Sequence, residues 1–584
     1  MRSPFDFLAS PARNSGRLWT ITYAAALIAL FNLAAVRRFS LPLTPILDID
    51  SPNFLWPALL KLNGHGFVHN AGLNFIYPGF LFVVLRGFAD FRAVVVVQHL
   101  LGLAGGAFFL LGWNRLHDLD RDAPLRRAVH QAIGLFSAGL FLLSPTTILF
   151  EMQIRPEAVC MPVQLLSFWL LFEFLFCRTR TDATGRLALA GLGAMASALL
   201  LCSLKPSFTL AALFTALLVL LLVVRSGRPP KFRILFCAGA LLIALALFIP
   251  ERRLGRDDRL SRMFLPQTLF SVHARIIHEQ MKEDLARETE TPFPRPWLLS
   301  ASNDLGAALQ NCAVPAGRQF SLLGFDPDCL MNGSDAVITR WLVQLGGDQN
   351  LRPFLAQYFW RAVRHRPRDF GEKIRRQLGV FYRWTCPAFI SQRRIALAAW
   401  HYQPSLAVIR DPETWEQLGA VPGGPDLLAR TEALAAERSL VDSGKRPFFF
   451  QSIFGRAYLP ILVLSFAAAL YVLWSRKYAG GGRAAAALVL FLFLMNFANV
   501  LAIAVVHSME VLRYSTVQFA AALFAELWAI RFLLGFALRE LPGPATAASN
   551  GGQPVRPAHP DVGAGGIVRA DVFRGLPPGA GAGD

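Results

Sequence analysis

Residues 41–85 read LPLTPILDIDSPNFLWPALLKLNGHGFVHNAGLNFIYPGFLFVVL. Two carboxylates, Asp48 and Asp50, stand two residues apart, followed by Ser51-Pro52, the aromatics Phe54 and Trp56, then His65, His69, Asn70 and Tyr77-Pro78. Upstream, residues 18–36 form an apolar run long enough to cross a bilayer and too long for the core of a cleaved signal. Arg37-Arg38 follows it without a small-residue cleavage site, so the run reads as a retained first span. Downstream, 91–113 reads as a second span, rich in Val, Leu and Gly. Between them lie an amphipathic piece near 54–62 and IYPGFLFVVLRGF at 76–88, which is short for a span and is expected to re-enter or lie at the interface. A polar, acidic loop pinned between spans decides the fold class. It is also where a membrane enzyme would hold a base.

Composition agrees. Hydrophobic residues make up 54% of the 584, charged residues only 17%, and mean hydropathy is +0.41, which describes a polytopic membrane protein. A net charge of +19 would suggest nucleic acid as partner of a soluble chain. Here the Lys and Arg residues fall mostly in short loops between apolar runs, so membrane topology accounts for them and no nucleic acid is expected. The seven cysteines form no CxxC and no Cys/His array. Cys160, Cys177, Cys202 and Cys237 read as small packing residues in or beside spans. Cys312 and Cys329 fall in a hydrophilic region, and their pairing is expected if that region is extracytoplasmic.

Further spans read at 128–144, 156–177, a fifth ending near Ser203, 207–224, 234–249, 457–474, 484–506 and 514–535. The expected fold is an all-α integral membrane bundle of about ten spans with a mixed, mainly helical extracytoplasmic domain. The expected organisation is a membrane module over 1–250 with its outer loop at 37–90, a domain over 251–455, further spans over 456–535, and a disordered cytoplasmic tail over 536–584, rich in Gly, Ala and Pro. With the N-terminus in the cytoplasm, the loops 114–127, 178–186, 225–233 and 476–483 are all basic and lie inside. The acidic loop, which also holds Arg37, Arg38 and Lys61, is the exception to the charge rule.

That topology gathers four mixed-charge groups at the outer face. They are Asp48 and Asp50; Glu151, Arg155 and Glu157; Lys205; and His507, Glu510, Arg513 and Tyr514. Ionisable groups at span edges are costly unless paired or facing water. The chemistry such a set supports is transfer of a sugar from a lipid-phosphate donor. A phosphate leaving group needs cations such as Lys205, Arg155 or Arg513 but no protonation, and an acceptor hydroxyl needs one base. No nucleotide sugar is expected outside the cytoplasm, so the donor fits a polyprenyl-phosphate carrier with its chain between spans.

On Asp50, Tyr77-Pro78, FEMQIRPEA (150–158), Lys205-Pro206 and EVLRY (510–514), the chain resembles polytopic GT-C glycosyltransferases of the protein mannosyltransferase and aminoarabinose transferase kind. The resemblance covers about 18–250 and 456–535 and leaves out 251–455, where acceptor choice is expected to reside. It implies a metal-independent, inverting transfer, with a first-loop acid as base and basic residues at span edges holding the carrier phosphate. The residues it points to are Asp50 or Asp48 as base, Lys205, Arg155, Arg513 and Tyr514 at the donor phosphate, and Glu151, Glu157, Tyr77, His507 and Glu510 in support. It also implies a cell-envelope enzyme of the inner membrane acting on a glycan, lipid or protein acceptor. The usual pair of acids followed by Tyr is altered: Ser51 follows Asp50, and Phe54 takes the aromatic place, which leaves Asp48 open beside the favoured Asp50.

Plainer readings compete. Either Asp would cap the helix after Ser51-Pro52. Glu151 and Arg155 would form a surface ion pair, Glu157 would complement a helix dipole, and Lys205 would snorkel. His65 and His69 lack a third zinc ligand. Glu173, Glu526, Asn496 and Asn499 read as interhelical hydrogen-bonders. DxD as a divalent-metal site suits the wrong compartment. A polysaccharide polymerase or ligase stays open through His365 and its Arg neighbours in 352–384, and a lipid or solute transporter is a further alternative.

Overall fold

The computed structural model describes residues 16–47, 50–67, 74–119, 127–180, 183–333, 335–390, a few positions between 416 and 429, 445–478 and 481–540. Asp48, His69, Asn70 and the tail from 541 onward lie outside them. In chain order the helices are α1 (Gly16–Phe39), α2 (Ser51–Leu62), α3 (Ile76–Phe88), α4 (Arg92–Leu119), α5 (Arg127–Leu142), α6 (Pro145–Met152), α7 (Glu157–Arg180), α8 (Thr184–Leu204), α9 (Thr209–Val224) and α10 (Pro230–Asp257). The hydrophilic region follows with α11 (Arg259–Val272), α12 (Ala274–Ala286), α13 (Arg295–Asn311), α14 (Pro327–Met331), α15 (Val337–Gln344), α16 (Asp348–His365) and α17 (Pro367–Phe381). The chain then continues as α18 (Lys445–Trp474), α19 (Gly481–Val506), α20 (Leu512–Thr516) and α21 (Phe519–Glu540). Among the described residues there is no strand, only two isolated bridges. The protein is an all-α polytopic membrane protein.

Nine described helices are long and apolar enough to cross a bilayer, and the bent pair α5–α6 makes a tenth if counted as one span. That pair departs from the single span expected at 128–144. The chain bends by 46° at its break, where Pro145 has no N–H to continue the ladder. The last span also starts later than 514. Residues 512–516 form the short α20, and α21 begins at Phe519. The short piece at 76–88 is a 13-residue helix, as its length suggests.

Three of the apolar cores hold these helices in place. The largest packs α1, α4, α5, α7, α18, α19 and α21 around Phe109, Trp113, Phe172, Phe524 and Trp528. A second gathers the acidic loop, α2, α3 and the residues either side of Gln153 around Leu47, Leu59, Leu81 and Ile154. The hydrophilic region has its own, around Phe270, Trp341, Phe354 and Tyr358. Cys312 and Cys329 are disulfide-bonded there.

One backbone contact matters for everything that follows. Ile46 pairs with Gln153 in a parallel bridge, its N–H donating to Met152 O (2.7 Å) and its carbonyl accepting from Ile154 N (3.1 Å). The acidic loop is thereby laid against the link between α6 and α7. Tyr77 braces the same link: its hydroxyl donates to Gln98 Oε1 (2.8 Å), and Gln98 Nε2 donates to the Glu151 and Gln153 carbonyls at 2.8 and 3.0 Å.

Candidate functional site

Four connections meet at one end of the bundle. Asp50 sits just before α2, with Pro52 in that helix's first turn. Its side chain makes no cap hydrogen bond, so the capping reading does not hold. Its Oδ2 instead accepts from Arg155 Nη2 at 2.5 Å and from Arg513 Nη1. Arg155 stands between α6 and α7, and Arg513 stands in α20. Arg155 Nε lies 3.8 Å from Glu157 Oε2, and Lys205 Nζ donates to Glu157 Oε1 at 2.6 Å. Lys205 is held extended between α8 and the 3₁₀ turn Pro206–Phe208, and its side chain turns inward with only 10% exposure. It does not snorkel, because Glu157 in the first turn of α7 offers a buried countercharge that water at the rim does not replace.

Tyr514 closes this set. Lys205 Nζ and Arg513 Cζ lie 5.0 and 5.1 Å from the centre of its ring, and Arg513 Nη2 reaches its hydroxyl at 3.5 Å. The His507 ring packs against it at 4.9 Å. Burial, helped by the Arg513, Lys373 and Lys205 charges, pushes the His507 imidazole down to about 3, so it is neutral and adds no positive charge. At Asp50, burial raises the carboxyl's pKa, but the Arg513 and Arg155 guanidiniums outweigh that and hold it below its ordinary value. Among the groups in direct contact, three cations thus face two carboxylates. Asp50 and Arg513 are each 31% exposed, so the cluster opens outward. Such a place accepts an anion and offers a carboxylate beside it.

Glu151 is not part of it. The expected Glu151–Arg155 pair is corrected: the Glu151 carboxylate binds Arg38 through Nε (2.7 Å) and Nη2 (2.8 Å) and takes an N–H from His99 Nδ1 (2.8 Å). α6 ends at Met152 and Gln153 is extended, so the four-residue spacing is not a helical one and Arg155 points elsewhere. A Cβ on Gly102 would land on the Glu151 carboxylate, so only glycine lets α4 approach it. Glu510 also stands apart, its Oε1 accepting from Ser321 Oγ and Leu322 N, both at 3.1 Å. Tyr77 acts on backbone, as described above.

Residues that sequence reading passed over include Arg38, His99, Lys373 and Asp328. Arg38 did carry a signal, since it broke the charge pattern of the short loops. Asp328, in α14 next to the disulfide, is close enough to Asp50 and Arg513 to feel both charges. Although Asp328 itself is exposed, the protein packed around it and the neighbouring Asp326 carboxylate push its carboxyl up to about 6. Glu173 does bridge helices, to Arg115 and Arg186 at 2.6 Å each, and Asn496 links Tyr458 to Gln518. Glu526 and Asn499 do not: their buried polar atoms have no hydrogen bond in the structure. Around His365, Arg361 and Arg366 are engaged with Asp284 and Glu283. His65 is exposed. Among the described residues no group of three or more His, Cys, Asp or Glu could hold a metal ion.

No protein-family profile matches the chain, and no curated protein matches it in sequence. Two solved structures show a likeness, both of ArnT from Cupriavidus metallidurans. The apo state is 13% identical, covering 88% of this chain and 78% of that one, with a TM-score of 0.28. The form bound to undecaprenyl phosphate is 12% identical, covering 90% and 78%, with a TM-score of 0.29. A likeness at that level carries no argument about this chain's chemistry.

Proposed function

We propose that this protein is a membrane glycosyltransferase that moves a sugar from a polyprenyl-phosphate donor to an acceptor hydroxyl or amine on the extracytoplasmic face, with inversion. The observation that carries the reading is the meeting of Asp50 with Arg155 and Arg513, beside the Lys205–Glu157 pair, from four separate connections. The phosphate of the donor competes with Asp50 for the two guanidiniums. As they turn to the phosphate, Asp50 loses the charges that hold its basicity down. The freed carboxylate then takes the proton as the acceptor oxygen or nitrogen attacks the anomeric carbon. The bond from that carbon to the phosphate oxygen breaks, and the carrier leaves as polyprenyl phosphate. Its added negative charge falls on Lys205, Arg155 and Arg513, a stabilisation strongest where charge develops. No metal is given a part in this sequence.

The test is transfer from synthetic polyprenyl-phosphate sugars by purified protein in nanodiscs, scored by mass spectrometry against candidate acceptors. Wild type transfers and Asp50→Asn does not. Inactivity of wild type with every donor, or full activity of Asp50→Asn, overturns the reading. Orientation is checked separately: in intact cells Arg340→Cys reacts with an impermeant thiol reagent and Pro230→Cys does not.

A further inference from the structure

The loop that carries Arg513 and Tyr514 is held from outside the membrane bundle. α19 ends at Val506, and the carbonyls of a helix's last turn have no partner within the helix. Lys373 of α17 supplies one, Nζ donating to Ala504 O at 2.6 Å and to His507 O at 3.0 Å. Those two carbonyls lie on either side of the helix end, so the single Lys373 amino group, donating to both, fixes the angle at which the chain leaves α19. One turn along α17, Gln377 Oε1 accepts from Ser508 Oγ (3.0 Å) and from Met509 N (2.6 Å). Lys373 and Gln377 are four residues apart and therefore share a face of α17. Glu510 continues the series by gripping Ser321 and Leu322 in the disulfide-closed segment. Residues 504, 507, 508, 509 and 510 are thus anchored in succession, and Arg513 follows three residues later.

We infer that Lys373, with Gln377 behind it, is a positioning residue that sets Arg513 and Tyr514 against Asp50 and Lys205. Lys373 touches no reacting atom. It acts through the exit angle of α19, and its removal lets Arg513 drift from the site of the phosphate. A displacement of about an ångström at such a group costs up to a hundredfold. The inference rests on the proposed lipid-phosphate site for its consequence and on the observed hydrogen bonds alone for the clamp.

The experiment measures, for wild type, Lys373→Met, Lys373→Arg and Gln377→Leu in nanodiscs, the affinity for polyprenyl phosphate and amide hydrogen exchange over 500–516. Lys373→Met is expected to weaken binding by one to two orders of magnitude, about what losing the charge-assisted contact of Arg513 costs. Its exchange is expected to quicken at 504–514 and nowhere else. Lys373→Arg, which keeps N–H donors of similar reach, restores most of both, and Gln377→Leu gives the same pattern more weakly. A purely structural lysine would lower the yield of folded protein and leave the affinity of the folded fraction unchanged, and that result overturns the inference. If Lys373→Met fails to fold, Gln377→Leu decides: unchanged binding and exchange overturn it. If wild type does not bind polyprenyl phosphate, the site reading falls, and exchange at 504–514 alone confirms or removes the clamp.

Discussion

Two ionic clusters lie next to each other in this chain, and they are built on opposite plans. In the Arg38–Glu151–His99 knot the side chains are 0–2% exposed, both carboxylate oxygens are bonded, and Arg38 also holds the Leu142 carbonyl at 2.7 Å. In the Asp50 cluster the key carboxylate is 31% exposed, the cations outnumber the acids, and Glu157 keeps one oxygen without a hydrogen bond. The first is closed to exchange of partners, because every substitute would leave a charge unpaired away from water. In the proposed function the second trades one anion for another. On that reading, a buried ion pair points to function here only where its stoichiometry is left open.

The sharpest way to break this comparison is Asp50→Asn. Transfer should fall by about 10²–10⁴ through loss of the base, while the thermal midpoint of the detergent-solubilised protein barely moves. An unfolded variant would place Asp50 among the structural pairs instead. Arg38→Met should do the reverse. Leaving Glu151 buried without its guanidinium costs about 3–5 kcal/mol of stability. Polyprenyl-phosphate affinity of the folded fraction should stay as in wild type. Calorimetry on the solubilised protein and binding in nanodiscs separate the two, and a Tm near wild type would mean the knot is not structural.

Smaller effects sharpen the picture within the open cluster. Arg513→Ala and Lys205→Ala each remove a charge-assisted contact, worth about 1.5–3 kcal/mol of donor binding. Arg513→Ala should be the more damaging for turnover, since it also touches Asp50. Equal effects on affinity and rate from both would argue that Arg513 serves the phosphate alone. The smallest effect is expected at Asp328. Its folded-state carboxyl sits at about 6 against an ordinary 3.8, so the folded protein favours the protonated form and loses relative stability as pH rises through that window. Asp328→Asn should accordingly raise the Tm slightly at pH 7.5, with the gain vanishing towards pH 4. A gain that persists at pH 4 would assign it to packing rather than charge.

Much of the membrane architecture was legible because long apolar runs admit few alternatives to a spanning helix. The hinge of α5–α6 was legible only as Ser144-Pro145, since the bend depends on how the second half packs under the acidic loop. The disulfide was readable as two cysteines in one hydrophilic segment. The four groups around Asp50 were readable because mixed charge at span edges needs partners. What sequence could not assign was which charge meets which. Glu151 and Arg155 are neighbours in the chain, yet the end of α6 turns one to Arg38, 113 positions away, and the other to Asp50, 105 positions away. Lys373 was hidden in a run of basic residues that otherwise faces solvent or pairs locally with Glu372. Only the end of α19 distinguishes it.

Asp50 and Arg513 are separated by 463 positions, nearly the whole described chain. During biosynthesis the carboxylate is made near the start and its second guanidinium near the end. At about 5–20 residues per second the interval between them is roughly half a minute to a minute and a half. Through that interval a nascent chain holds Asp50 and Arg155 but lacks the loop that completes the cation set. A polypeptide stalled or cleaved before α20 therefore carries its early spans in the bilayer with a site that has no second grip. If the proposed function holds, the last hairpin is the key that arms the protein, and it turns only after every earlier segment has been synthesised.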